Sequence, residues 1–336
     1  MNRPFRQAGL NLRGDIVARR HCDRTAAFGD LGTKRCHLPV VANRSMQTFM
    51  SKSNLSSARL GLRIDQAKWS LALPDGARRL IASGDFDGRD NETLVRWLSG
   101  EPTLSKRLLL WCNTPMYNLS QPYQTLEQAA KVMDRCELAR LAVLAWVRGM
   151  FLPEVQIDVY SREILWGHSI AVGSVATLIA RMCNVGDPGL VFIAGALHDV
   201  GLCASERLDP ESFAEVVSQI DELSPTHEVE RDILGWDHCQ LGEAILGQWG
   251  LPDAVTMAAR HHHAPERVLD SEHADTVGCV AIANYLCSRS GWGSTPAHSI
   301  VAPSDRVFKK LGIDAGLLTV LWTQLSTTLA SVSGLR

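Results

Sequence analysis

No two cysteines in this chain lie closer than eight residues, so there is no CxxC unit and no zinc ribbon to expect. The nine cysteines (Cys22, Cys36, Cys112, Cys136, Cys183, Cys203, Cys239, Cys279 and Cys287) are odd in number and scattered. A disulfide framework is not expected in a chain with this much apolar sequence, and the cytoplasm is the expected compartment. Strand-type alternation is also scarce. Val155–Val159 is too short to found a sheet, and no repeat of solenoid period is visible.

Charge of one sign is nearly absent in sum, with a formal net charge of −2, but it is unevenly spread. Residues 1–50 carry nine Lys/Arg against three Asp/Glu, and the remainder carries 25 against 33. An acidic body gives no electrostatic reason to bind nucleic acid or anionic lipid, because such binding neutralises phosphates with clustered cations. Nucleic acid is therefore not an expected partner.

Long hydrophobic runs are interrupted. Ala315–Leu335 is uncharged over 21 residues, enough to span a bilayer, but it is rich in Ser and Thr. Leu318, Leu321, Leu325, Leu329 and Val332 recur at three or four residues, which predicts an amphipathic closing helix. Ile164–Ala180 is broken by Gly167, His168, Ser169, Gly173 and Ser174 and predicts a buried helix. No apolar core follows the first arginines, so neither a signal peptide nor membrane association is expected.

At 336 residues, 46% apolar and 21% charged, the sequence fits a soluble globular protein of up to two domains. Residues 1–60 are basic and lack periodicity through residue 45. They are expected to be a disordered arm or to precede the true start, at Met46 or Met50; an Arg-rich targeting segment is the third reading. From about residue 70 the pattern is helical. Pro102 opens a helix with the stripe Leu104, Leu108 and Trp111, ended by Asn113-Thr114-Pro115. Thr125 and Gln128 form a candidate capping box, and Leu138–Val147 is apolar nearly all round. The predicted fold is an all-α bundle with an N-terminal helical lobe over 70–155 and a helical core over 156–330.

Eleven histidines are present, and several fall at helix ends or on inward faces. His168 begins the apolar stripe Val172, Val175 and Ile179. His198-Asp199 ends an apolar run, with Gly201 placed as a left-handed helix terminator. Asp237 is a plausible N-cap that puts His238 in the first turn of a helix. His262 shares a face with Val255 and Ala259, flanked by His261 and His263. Asn284 shares an apolar face with Val277, Val280 and Ala281. Imidazole and carboxylate suit zinc, manganese or ferrous iron. Taken alone, each residue is more often a satisfied core polar group, and all of them read so would make a scaffold without ligand; the joint pattern of histidines near helix ends favours the site. Cys203 and Cys239, beside these motifs, are candidates for redox sensing.

The ordered set resembles the HDOD domain, a branch of the HD metal-dependent phosphohydrolase superfamily. The stretches that carry the likeness are TLVRWLSGEPTLSKRLLLWCNTPMYNLSQPYQTLEQA (93–129), ILWGHSIAVGSVATLIA (164–180), GLVFIAGALHDVGL (189–202), DHCQLGEAILGQWGLPDAV (237–255), ARHHHAPE (259–266) and VAIANYL (280–286). The resemblance implies that His168 matches the superfamily's first metal histidine, His198 and Asp199 its HD dyad, and Asn284 its closing aspartate. It further matches His238, His262 and His263 to the extra histidines of the two-metal HD-GYP branch, with iron, manganese or zinc as the implied metal. Three departures stand out: Asn284 is a neutral amide, Leu202 stands where active relatives place a phosphate-binding lysine, and HHHAPERVL lacks Gly-Tyr-Pro. The resemblance thus implies a bacterial signal-transduction protein with a degenerate, non-catalytic pocket that holds a metal or small nucleotide and presents a surface to a signalling partner. The alternative is a metal-dependent phosphohydrolase or phosphodiesterase acting on a cyclic or other nucleotide.

Overall fold

A computed structural model describes residues 91–332, apart from 101, 114–116, 118, 221–223 and 295–300. The expected N-terminal arm, and the expected lobe up to residue 90, lie outside the described residues. The rest is helical almost throughout. Among the described residues the sheet structure is one hairpin, β1 (Gln156–Ile157) and β2 (Tyr160–Ser161), turning at Asp158 with φ of 48°. The fold is all-α.

Four helices come first: α1 (Asn91–Ser99), α2 (Pro102–Cys112), α3 (Leu126–Val132) and α4 (Arg135–Val147). Proline opens α2, where its missing N–H costs nothing, and Leu104, Leu108 and Trp111 form the buried stripe. Asn113 then brackets the loop that follows, donating from Nδ2 to Tyr123 O at 2.9 Å and accepting from Tyr123 N at 2.7 Å. Thr125 caps α3 by accepting from Gln128 N, but the Gln128 amide oxygen accepts from Gln124 N at 2.7 Å. The expected box is therefore displaced by one residue. Helix α4 is buried on nearly every side and packs on both α2 and the core helix Pro188–Leu197. Trp166 links the two regions, its ring centroid 5.5 Å from Trp111 and 5.0 Å from Phe151, each pair worth about 1 kcal/mol beyond burial.

The core is built on α5 (Arg162–Cys183), against which α6 (Pro188–Leu197), α12 (Ala274–Arg289) and α14 (Ala315–Val332) pack. Ser161 caps the start of α5 by accepting from Ile164 N, and Asn184 ends it in the left-handed conformation at φ 53°. Asp187 and Pro188 open α6. The two helices touch backbone to backbone: a Cβ on Gly195 would fall 2.7 Å from Gly173 Cα. This contact brings the C-terminal end of α6, with His198, onto the helix that carries His168.

The chain continues through α7 (Val200–Leu208), α8 (Pro210–Gln219), α9 (Thr226–Ile233), α10 (His238–Gln248), α11 (Asp253–His261) and α13 (Asp305–Lys310). Gly201 corrects the sequence reading. It sits inside α7 with no positive φ, and a Cβ there would lie 2.0 Å from His238 O. Its role is close approach of α10 to α7, not termination of a helix. Asp237 does form a capping box with Gln240, and Gly250, at φ 73°, follows the end of α10.

Helix α14 is amphipathic as expected, with Leu321, Leu325 and Leu329 buried. The stretches Arg162–Cys183 and Pro188–Leu208 are long and apolar enough to cross a membrane, yet most of each is buried within the fold. The free cysteines Cys112, Cys183, Cys203, Cys239, Cys279 and Cys287 form no disulfide among the described residues.

Candidate metal centre

Six of the seven candidate residues meet in the interior. His168 comes from α5, His198 and Asp199 from the turn between α6 and α7, His238 from the first turn of α10, and His262 and His263 from the end of α11. His168, His198, Asp199, His238 and His262 are buried, and His263 is half-buried. His261 belongs to neither group of converging donors.

Asp199 divides the cluster. Its Oδ2 lies 3.5 Å from His168 Nε2 and 3.2 Å from His198 Nε2, and these two nitrogens are 3.3 Å apart. Its Oδ1 lies 3.5 Å from His238 Nε2 and 3.3 Å from His262 Nε2, while His238 Nε2 is 3.2 Å from His263 Nε2. Asp199 Oδ1 is buried without a hydrogen-bond partner.

The other edge of each imidazole is anchored. His168 Nδ1 meets Trp292 O, His198 Nδ1 meets Gly195 O at 2.7 Å, and His262 Nδ1 meets Ala259 O at 2.9 Å. A carbonyl can only accept, so Nδ1 carries the proton in each neutral ring and Nε2 presents its lone pair inward. His238 is anchored differently: Glu230 Oε2 accepts from its Nδ1 at 2.5 Å and from its backbone N–H at 2.9 Å.

For His168, His198 and Asp199 the consequence is direct. With both rings neutral, three electron pairs face one another with no hydrogen among them. Edges of 3.2–3.5 Å are what three ligands about 2.0–2.2 Å from one ion subtend. The donor set of this buried His/Asp group fits a divalent cation.

Electrostatics in the cluster run both ways. Burial, reinforced by His198, lowers His168 to about 4, and burial with His262 and His238 holds His263 well below the ordinary imidazole range. Burial opposes charge at His262 and His238 too. There, however, Cys239 and Asp199 raise His262 to about 10, and Cys239 and Glu230 raise His238 well above its usual value.

Asn284 is buried on α12, where its Oδ1 accepts from Ser288 Oγ at 3.4 Å. Leu202 is buried in the core. Three residues were not singled out as site members by sequence. Glu230 anchors His238; His227, on α9, stacks on His263 with centroids 4.5 Å apart; and Cys239 places Sγ 4.0 Å from His262 Nε2. Arg231, one turn from His227, is held by Asp237 at 2.6 Å.

The HDOD domain profile matches residues 71–265. An uncharacterized protein of Treponema pallidum (strain Nichols) is 29% identical over 269 residues, covering 78% of this chain and 49% of its own length, so the chain spans about half of that relative. An HDOD domain protein of unknown function from Geobacter sulfurreducens superposes with a TM-score of 0.68 at 23% identity, covering 79% of this chain and 93% of its own. A provisionally named signal transduction protein from Marinobacter aquaeolei VT8 gives 0.69 at 20%, covering 84% and 65%. A provisionally named phosphohydrolase from Shewanella amazonensis SB2B gives 0.61 at 19%, covering 82% and 94%. At these identities the structures establish the shared fold.

Proposed function

Because this chain belongs to the HDOD domain family, we propose that its histidine cluster is the metal centre of a signalling module and not the active site of a hydrolase. The observation that carries the metal half is the triangle of His168 Nε2, His198 Nε2 and Asp199 Oδ2, three inward-facing electron pairs with both imidazoles anchored at Nδ1. These three residues would hold one cation, and His238, His262 and His263 a second beside Asp199 Oδ1. Iron, zinc or manganese suits the nitrogen and carboxylate donors. When bound, such an ion supplies Lewis acidity and a rigid crosslink between helices.

The non-catalytic half rests on what surrounds the donors. Leu202, buried one turn after Asp199, offers neither charge nor hydrogen bond to a phosphoryl group. Asn284 supplies a neutral amide where a carboxylate would be the stronger donor to a divalent cation. The reading is a cytoplasmic protein in which metal or a small nucleotide at this centre sets the stability of the core, and the helices before it meet a signalling partner.

A second reading is a metal-dependent phosphohydrolase or phosphodiesterase. It is favoured by the place of Asp199 between the two groups, since a carboxylate flanked by two cations suits two-metal hydrolysis. Untagged protein, analysed for metal and then assayed with manganese, iron or zinc against cyclic dinucleotides and nucleoside phosphates, separates the two. Bound metal without turnover is expected. Turnover that vanishes in His198→Ala and Asp199→Ala would overturn the non-catalytic reading. Absence of metal, with a melting temperature indifferent to added metal, would overturn the metal reading.

A further inference from the structure

We propose that Cys239 is a thiolate ligand of the second cation position, alongside His238, His262 and His263, and that this position therefore selects a thiophilic metal such as zinc or iron over manganese. The inference rests on the metal-holding reading above and deepens it by naming the ligand that decides which ion enters.

The placement follows from the backbone. Consecutive residues on a helix diverge by about 100°, so two neighbours address one point only where the helix end itself lies close to it. Gly201 provides that approach, for a Cβ on it would collide with the carbonyl of His238. The first turn of α10 is thereby pressed onto the Asp199 turn. His238 and Cys239 then reach the cluster from either side of the helix end.

Cys239 is 3% exposed, and its Sγ lies 4.0 Å from His262 Nε2. The donor atoms of His238, Cys239, His262 and His263 all lie within 4.8 Å of one another. A further observation points to the same side: Asp199 Oδ1, in a residue 3% exposed, lies 3.5 Å from His238 Nε2 and 3.3 Å from His262 Nε2. A buried carboxylate oxygen is stabilised there by a cation, whether an imidazolium or a metal ion. Cys203, also buried, belongs to neither group of converging donors, which makes it the natural control.

Thiolate coordination replaces the S–H bond by a metal–sulfur bond and releases the thiol proton to solvent. Sulfur ligands favour zinc and iron, whereas manganese prefers oxygen donors. Removing the sulfur should therefore lower zinc affinity far more than manganese affinity.

The test uses the full chain, untagged and loaded with cobalt(II). Visible d–d absorption reports that cobalt is bound. A near-ultraviolet thiolate-to-cobalt charge-transfer band reports the sulfur. The band is expected in the unmodified chain and in Cys203→Ser, and lost in Cys239→Ser while d–d absorption remains. Cobalt bound without the band in the unmodified chain, or a band that survives in Cys239→Ser, would overturn the thiolate assignment and leave the metal centre standing. No cobalt absorption at all would overturn both. Should Cys239→Ser fail to fold, zinc-edge X-ray absorption of the unmodified chain decides alone: a sulfur scatterer at about 2.3 Å supports the assignment, and nitrogen and oxygen scatterers only would overturn it.

Discussion

Gly201 and His238 are in direct backbone contact, so close that a Cβ on the glycine would lie 2.0 Å from the histidine's carbonyl oxygen. The obstacle is main chain and cannot swing aside as a side-chain tip would. Gly201→Ala must therefore push α10 away from the Asp199 turn. The expected cost is about 3 kcal/mol or more, the upper range for overpacking. Urea denaturation measures the loss, and metal analysis of the same sample should find the second position emptied before the first.

Glu230 orients His238 through two hydrogen bonds, one to Nδ1 and one to the backbone N–H. Glu230→Gln keeps the shape but removes the charge that makes His238 Nε2 a strong donor. Zinc affinity, read by chelator competition, should fall about 10- to 100-fold, the usual effect of losing such an outer contact. An unchanged affinity would exclude His238 from the metal's ligands.

Protonation gives a pH signature in metal-stripped protein. His168, lowered to about 4, is neutral when folded, so its contribution is present above the unfolded value near 6.5 and is lost as pH falls toward 4. His262, raised to about 10, behaves oppositely, contributing fully below about 6.5 and losing that contribution as pH climbs toward 10. Melting temperature without metal should peak near pH 6.5. Metal requires neutral imidazoles, so loading should move the peak to higher pH. Superimposable profiles with and without metal would contradict the metal centre.

Away from the cluster, Arg162 and Glu206 form a buried ion pair at 2.6 Å, and Arg162 Nη1 also donates to Pro153 O. Arg162→Met leaves the carboxylate buried and alone, at an expected cost of about 3–5 kcal/mol. Arg162→Met with Glu206→Leu should recover much of that loss. Chemical denaturation of the two variants checks the difference.

Much of this arrangement was legible in the chain because it depends on local chemistry. Asp237 with Gln240, Pro102 and the Asp187-Pro188 pair mark helix starts through the orphan N–H groups they satisfy or avoid. The histidines were legible as an ordered series. His262 could be read as inward-facing from the apolar stripe of Val255 and Ala259, which it continues, whereas His263, which also joins the cluster, was legible only through the resemblance. Glu230 was not legible: it lies in THEVERDI, a charged run that reads as a solvated face until α10 packs on it. Gly201 was misread because its constraint comes from a helix nearly forty residues away, not from its own φ. Cys239 was visible as a neighbour of the motif, but its part in the donor set depends on that same approach.

Asp199 presents one oxygen to each half of the cluster, so ions held on its two sides would be thermodynamically coupled. An ion on the Oδ2 side draws on the same negative charge that an ion on the Oδ1 side would use. It also fixes the carboxylate plane for both. Whatever factor the first ion applies to the affinity of the second, the second must return to the first. A titration of this protein with metal should therefore be fitted as a linked pair, with the coupling constant as a property of one aspartate.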